Sequence, residues 1–270
     1  MEPEKVSEAL TEYTIFDNPF MRAVFKDDED VTQLVLQIIL GKDDLIVQEI
    51  NTEKRLFNSQ GKEGIVDVLA TDEEGKIYNI EIQNDSSFAQ PRRARFYNDL
   101  IDTNFLGEGA SVDDLPENYV IFITRHDYFG DKEPKYLFQM TNRNDHSHVL
   151  EYGVNVVYVN GEYRGNDALG LLMEDFSCKN PNNMHYNKIS KKVAKIKCMK
   201  EEDAVGMFGP VMDGMLEEQA EKTAIEIAKN MIKRQKYSEE EIAENTNLPL
   251  DKVKKIIEEM KEYVAGHVVV

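Results

Sequence analysis

The segment from Gly64 to Gln83, GIVDVLATDEEGKIYNIEIQ, constrains the fold more than any other stretch of the chain. Alternating runs flank Asp72-Glu73-Glu74-Gly75-Lys76, and a three-residue loop with glycine in the left-handed position is a favoured hairpin connection. With Gly75 at the bulge and Asp72 opposite Lys76, counting outward sets Ala70 against Tyr78, Val68 against Ile80, Asp67 against Glu81 and Ile65 against Gln83. Side chains alternate at period two, so Val66, Val68 and Ala70 share a core face with Tyr78, Ile80 and Ile82. The other face carries Asp67, Asn79, Glu81 and Gln83 beside Ile65, Leu69 and Ile77. A bulge would slip this register by one.

Opposed side chains on paired strands sit ~5 Å apart, and like charges there are destabilising. At an effective dielectric of about 20, two full charges at ~5 Å repel by roughly 3 kcal/mol, a large share of a domain's ~5–15 kcal/mol of stability. A shared cation, a shared proton or a basic neighbour offsets such repulsion. Mg²⁺, held by one or two carboxylates and several waters, fits the inventory best. The alternative is a solvated edge hairpin in which water screens the pair.

The chain has 270 residues, 41% of them hydrophobic, enough for a substantial core and long for one domain. No apolar run approaches the length of a membrane span, the acidic start MEPEKVSEALTEY lacks the pattern of a secretory signal, and Cys178 and Cys198 stand apart from any zinc-like spacing. A cytoplasmic protein with no membrane association is expected.

Asn18-Pro19 predicts the start of a helix whose apolar pattern runs from Phe20 to Leu40 and ends at Gly41. A first strand is expected over Leu45–Ile50, then the hairpin, a helix from Pro91 to about Thr103, and buried strands over Tyr119–Thr124 and Val154–Val159. Near Asn166 a second, helical region begins, so the division expected is 1–165 and 166–270. A helix-turn-helix-like hairpin is read near 238–263, with a capping box at Ser238–Glu241. Its second helix balances lysines against acids, which suits packing or oligomerisation better than a DNA groove. Periodicity over Leu216–Met231 is compatible with an intermolecular coil and hence a homo-oligomer.

A net charge of −19 runs against a DNA partner, because phosphate affinity comes from Lys and Arg. The distribution is uneven, however: Phe176 to Lys200 holds seven lysines and no acid. Lys188, Lys192 and Lys195 form one stripe of an amphipathic helix, either a solvated face or a phosphate contact. His146 and His148, two apart in a polar stretch, read as a solvated loop rather than a metal ligand pair.

The runs KEGIVDVLATDEEGKIYNIEIQ, PRRARFYNDL, ENYVIFITRHDYFG, VNVVYVNGEYRG and LLMEDFSCKNPNNMHY, with the tail EIAKNMIKRQKYSEEEIAENTNLPLDKVKKI, resemble in order the PD-(D/E)XK nuclease family transposases, the Rpn-like recombination-promoting nucleases. The resemblance implies an α/β, restriction-endonuclease-like core, a mixed four-stranded sheet flanked by helices, followed by a helical C-terminal region. It places Asp67 on the second-strand acid, Glu81 and Gln83 on the third-strand E-x-Q, and Arg93 and Tyr97 on an Arg-x-x-x-Tyr pattern. Gln83 stands where the wider superfamily has lysine. Many members add an acid from the first helix; Asp17 and the run Asp27–Asp30 are the candidates.

The implied activity is metal-dependent hydrolysis of DNA phosphodiesters with low sequence specificity, linked to transposition or recombination. Asp67 and Glu81 would hold Mg²⁺, for which Mn²⁺ would substitute, with the carbonyl of Ile82 as a third protein ligand. Gln83 orients water but cannot take its proton, so a cation is missing that Arg93 or a second metal would have to replace. The competing reading is a weak or inactive nuclease fold that binds nucleic acid or another partner.

Overall fold

The computed structural model describes residues 10–58, 60–234 and 236–257, without the side chains of 201 and 209–223. The chain divides into two compact units, the first of which ends at Glu201 and holds every described strand.

The first unit opens with two short helices, α1 (Asn18–Phe25) and α2 (Glu29–Leu40). The single helix expected over Phe20–Leu40 is broken because Asp27 takes a left-handed φ of 52°. Asp28 then caps α2 by accepting the Val31 N–H at 3.1 Å, the ordinary work of an N-cap carboxylate. Gly41, at φ 68°, ends α2 as expected.

The sheet contains six strands in the order β1 (Val47–Phe57), β2 (Glu63–Asp72), β3 (Ile77–Gln83), β4 (Asn118–Thr124), β8 (Val154–Asn160) and β5 (Lys135–Phe138). β1–β2 and β2–β3 pair antiparallel, β3–β4 and β4–β8 pair parallel, and β5 returns antiparallel on the edge. The four-stranded core expected from resemblance is therefore extended by two strands. A small hairpin of β6 (Thr141–Asn142) and β7 (Asp145–Val149) stands apart from it and carries His146 and His148 on an exposed strand rather than in a loop. Parallel strands require a crossover, and α3 (Pro91–Phe105) supplies the one from β3 to β4.

The turn between β2 and β3 forms as the residues demand. Gly75 has φ 80°, the Asp72 N–H donates to the Lys76 carbonyl at 3.2 Å, and the Asp72 side chain accepts the Lys76 N–H at 2.9 Å and the Tyr78 hydroxyl at 2.6 Å. The register follows Ala70–Tyr78, Leu69–Asn79 and Val68–Ile80, and there the pairing of β2 with β3 stops.

β4 is buried at all its positions, as expected of a strand covered on both faces. One face packs against α3: Leu69, Ile77, Val120, Phe122 and Tyr158 meet Tyr97, Leu100 and Ile101 in a single buried cluster. α1 contacts β1 to β3 and α2 contacts β1, and α4 (Ala168–Ser177) joins these helices, Phe176 meeting Phe16 and Phe25 edge-on. Helix α5 (Asn187–Lys197) belongs to this unit as well. The division thus falls at 201/202 rather than at 165, because the apolar sides of α4 and α5 are needed to cover the helices beneath the sheet.

In the second unit, α6 (Glu201–Arg234) is followed by α7 (Glu239–Thr246), a left-handed Asn247 at φ 57°, and helical residues 250–257. Ala228, Ile242, Leu248, Val253 and Ile256 form its buried core, so the expected hairpin folds onto the end of α6. The hairpin's last residues, 258–263, and part of the expected coil's side chains lie outside those described. Among the described residues no helix is long and apolar enough to cross a membrane.

Candidate active site

Asp67 and Glu81 meet where β2 and β3 part. Beyond Val68–Ile80 the ladder is replaced by side chains: Asp67 Oδ2 accepts the Ile82 N–H at 3.1 Å, and Glu81 Oε1 accepts the Asp67 N–H at 3.3 Å. The expected direct opposition of Asp67 with Glu81 and of Ile65 with Gln83 is therefore not a continued ladder. β2 also changes facing at this point. Gly64 and Val66 turn toward α3, where Leu69 also lies, whereas Val66 was expected on the opposite face with Val68. Glu53, the β1 residue between the ladder partners of Val66 and Val68, has a left-handed φ of 55°.

Both acids are enclosed, Asp67 at 9% exposure and Glu81 at 1%. Burial raises the Glu81 pKa, and the neighbouring Asp67 charge raises it further against the pull of Arg93 and Tyr97. Burial likewise raises Asp67, against the Ile82 N–H and the positive charges of Arg22 and Arg93. A close pair of this kind cannot hold two full charges cheaply, so it binds a proton or a cation.

Gln83 lies against both acids, its Nε2 donating to Asp67 Oδ2 and Glu81 Oε2 at 3.4 Å each. Tyr97 donates its hydroxyl to Glu81 Oε2 at 3.0 Å and accepts from Arg93 Nε and Nη2 at 3.0 and 2.7 Å. Burial and the Glu81 charge hold the Tyr97 hydroxyl far above its usual range, so it remains a donor. Asp67, Glu81, Gln83, Arg93 and Tyr97 are thus one connected group, built from β2, β3 and one side of α3.

The lysine stripe is elsewhere. Lys188 pairs with Asp30 at 2.6 Å, and Lys192 reaches Asp28 at 3.1 Å and the Lys26 carbonyl at 2.9 Å. Both tie α5 to the break between α1 and α2, while Lys195 is exposed. Of the acids proposed from the first helix, Asp28 and Asp30 hold Lys192 and Lys188, and Asp17 accepts from Thr14 at 2.8 Å and lies 3.5 Å from Arg125. Arg22 and Glu53 also belong to the surroundings of the site, although nothing in the local sequence marks them. They form a 2.5 Å ion pair, their charges reach Asp67, and the Arg22 Nε is buried without a partner. They are far apart in the chain, and no local spacing signals such a pair.

Among the described residues no three His, Cys, Asp or Glu side chains gather as a metal cage. Mg²⁺ does not require one: one or two carboxylates with waters and substrate phosphate suffice. The all-oxygen pair, raised in pKa and short of a countercharge, fits such an ion.

A mixed sheet flanked by helices, with an acid and an E-x-Q brought together at the mouth of a divided hairpin, defines a nuclease fold of the PD-(D/E)XK type. The family model for PD-(D/E)XK nuclease family transposases matches residues 22–161, from α1 through β8, and the chain belongs to that family. No match is found among curated proteins or among solved structures.

Proposed function

We propose that this protein is a Mg²⁺-dependent DNA endonuclease of low sequence specificity that acts in the cytoplasm in transposition or recombination. The observation that carries the reading is the pair of buried carboxylates facing each other over a broken ladder, an arrangement that is costly unless it serves a ligand. Asp67 and Glu81 are the metal-holding acids, with the Ile82 carbonyl as the third protein ligand and Mn²⁺ as a substitute ion. Bound Mg²⁺ would neutralise charge at the phosphate and increase the acidity of water.

The chain's own groups do the rest. Tyr97, held by Arg93, fixes the rotamer of Glu81. Gln83 presents its carboxamide where a water would sit; having no proton to exchange at neutral pH, it orients that water and leaves base function to the carboxylates or solvent. Arg93 uses Nε and Nη2 on Tyr97 and keeps Nη1 to meet a phosphate oxygen. Exposed Lys195 is the stripe lysine best placed for a distant phosphate, and self-association through the C-terminal helices completes the proposal.

A second reading follows from Gln83 and the net charge of −19: a nuclease fold that binds nucleic acid with little or no cleavage. Supercoiled plasmid distinguishes the two. With Mg²⁺ the wild type is expected to nick it, and chelator, Asp67→Asn or Glu81→Gln to abolish nicking. Equal nicking by either variant would sink the endonuclease reading, and binding without nicking would favour the second.

A further inference from the structure

Six strands are wider than one helix. At ~4.8 Å per strand the sheet spans about 24 Å, whereas a helix with its side chains covers ~10–12 Å. α3 packs most over β1, β2 and β4, and toward the β8–β5 end Val156 and Tyr136 are only partly buried against its cluster. Between the outer flank of α3 and that end lies a cavity of about 370 Å³, within the range of small-ligand sites. Phe129, Phe138, Tyr152 and Tyr158 line it from the sheet side, and Arg95 and Asn98 from α3.

Two properties narrow what it holds. The walls are aromatic: Phe129 stands 5.1 Å from Tyr158 and 5.2 Å from Phe138, centroid to centroid. Phe138 and Tyr152 remain 45% and 48% exposed, so a flat ring can enter and stack. Within this apolar site, Asn98 is only 7% exposed and its Oδ1 has no partner. A buried acceptor without a donor is uncommon and invites one. Rotation of its carboxamide would turn this group to the cavity, where the edge of a nucleobase, unlike an aliphatic side chain, brings hydrogen-bonding partners. Exposed Arg95 is available for a phosphate.

We propose that the cavity receives an unpaired nucleobase of the nucleic-acid substrate. The proposal rests on the nuclease reading above for the identity of that substrate. Asn98 follows Tyr97 directly on α3, and β8 lies two strand spacings, about 10 Å, from β3. A strand whose phosphate lies at Asp67 and Glu81 would thus have a neighbouring base within reach of the rings.

The test is fluorescence anisotropy at low salt in chelator, with a labelled octamer of deoxycytidine and an octamer of abasic deoxyribose of equal charge. Stacking on aromatic side chains strengthens binding base by base, so the wild type is expected to prefer the cytidine octamer about tenfold. Phe138→Ala with Tyr152→Ala, both at half-exposed positions, is expected to bring the two affinities within twofold while leaving abasic binding unchanged. Asn98→Leu is expected to weaken only the base-bearing octamer, with a thermal midpoint no lower than the wild type's. Equal wild-type affinities, no binding of either octamer, or a preference surviving in the double variant would overturn the proposal. Nicking with equal affinities would remove only the base site, and a base preference without nicking only the endonuclease.

Discussion

The hydroxyl of Tyr97 donates to Glu81 at 3.0 Å while accepting from Arg93, which makes α3 a positioning device for an acid on β3. Tyr97→Phe preserves the ring's packing in the buried cluster and removes only this link. Losing an outer partner of a metal ligand, the role proposed for Glu81, typically costs about 10- to 100-fold. The expected result is a fall of that size in plasmid nicking at fixed Mg²⁺, with the circular dichroism spectrum unchanged.

The acid pair makes stability depend on pH. Both carboxyls have folded pKa values raised by burial, so the folded state binds more protons than the unfolded one as pH passes the ordinary carboxylate range. Their contribution is fully present at low pH and is lost as pH rises through the raised values, by about 1.4 kcal/mol per pH unit for each proton of difference. Glu81→Gln cannot ionise. Its thermal midpoint relative to wild type should climb from pH 5 to pH 8 without Mg²⁺, and a flat difference would count against the buried pair.

Gly64 faces Leu100 and Tyr97 so closely that an added Cβ would lie 2.5 Å from Leu100 Cδ1 and 3.5 Å from the Tyr97 ring. Leu100 is fully buried and has little room to yield. Gly64→Ala is expected to cost about 1–3 kcal/mol by overpacking and to shift Tyr97 from Glu81. Urea denaturation and the nicking assay together check it: stability and activity should fall in the same variant.

Gln83→Lys puts a cation against two acids that have no direct one. The predicted change is roughly tenfold faster nicking, since charge aimed at a developing anion is worth at least that much. It should also flatten the pH dependence described above. A slower enzyme with normal stability would show that the carboxamide has a role of its own.

Lys188, Lys192 and Lys195 share one stripe by helical spacing, but two of them already hold anionic partners on α2 or at its cap. Neutralising all three to Gln should therefore lower the salt slope of DNA binding by about one phosphate rather than three. Lys192→Gln alone should reduce thermal stability, since its partly buried ammonium bridges Asp28 and Lys26.

The central hairpin with its turn, β4, β8 and the acids of the candidate site are legible because their signals are local, whereas the edge strand β5, the small β6–β7 hairpin and the run of β1 on to Phe57 are not. Gly75 and the alternation around it specify a hairpin within twenty residues, and unbroken apolar runs mark β4 and β8. What was not legible depends on contacts between distant segments. The break at Asp27 lies inside a run of acids that a helix start also tolerates, and only its capping geometry separates the two. The turning of Val66 toward α3, the pairing of Arg22 with Glu53 and the docking of α4 and α5 arise from three-dimensional packing that no periodicity encodes. Asn98 carries no local signal for the same reason: a helical asparagine looks ordinary until its apolar, aromatic surroundings are known.

Because Asp67 supplies the acceptor that the Ile82 N–H would otherwise find in a neighbouring backbone, under the proposed function one carboxylate is both reagent and masonry. Truncating it to alanine would strand a main-chain donor in the interior as well as disarm the site. A lineage abandoning cleavage should therefore drift first at Glu81 or Gln83, or retreat at position 67 to asparagine, keeping the frame upright after the chemistry is gone.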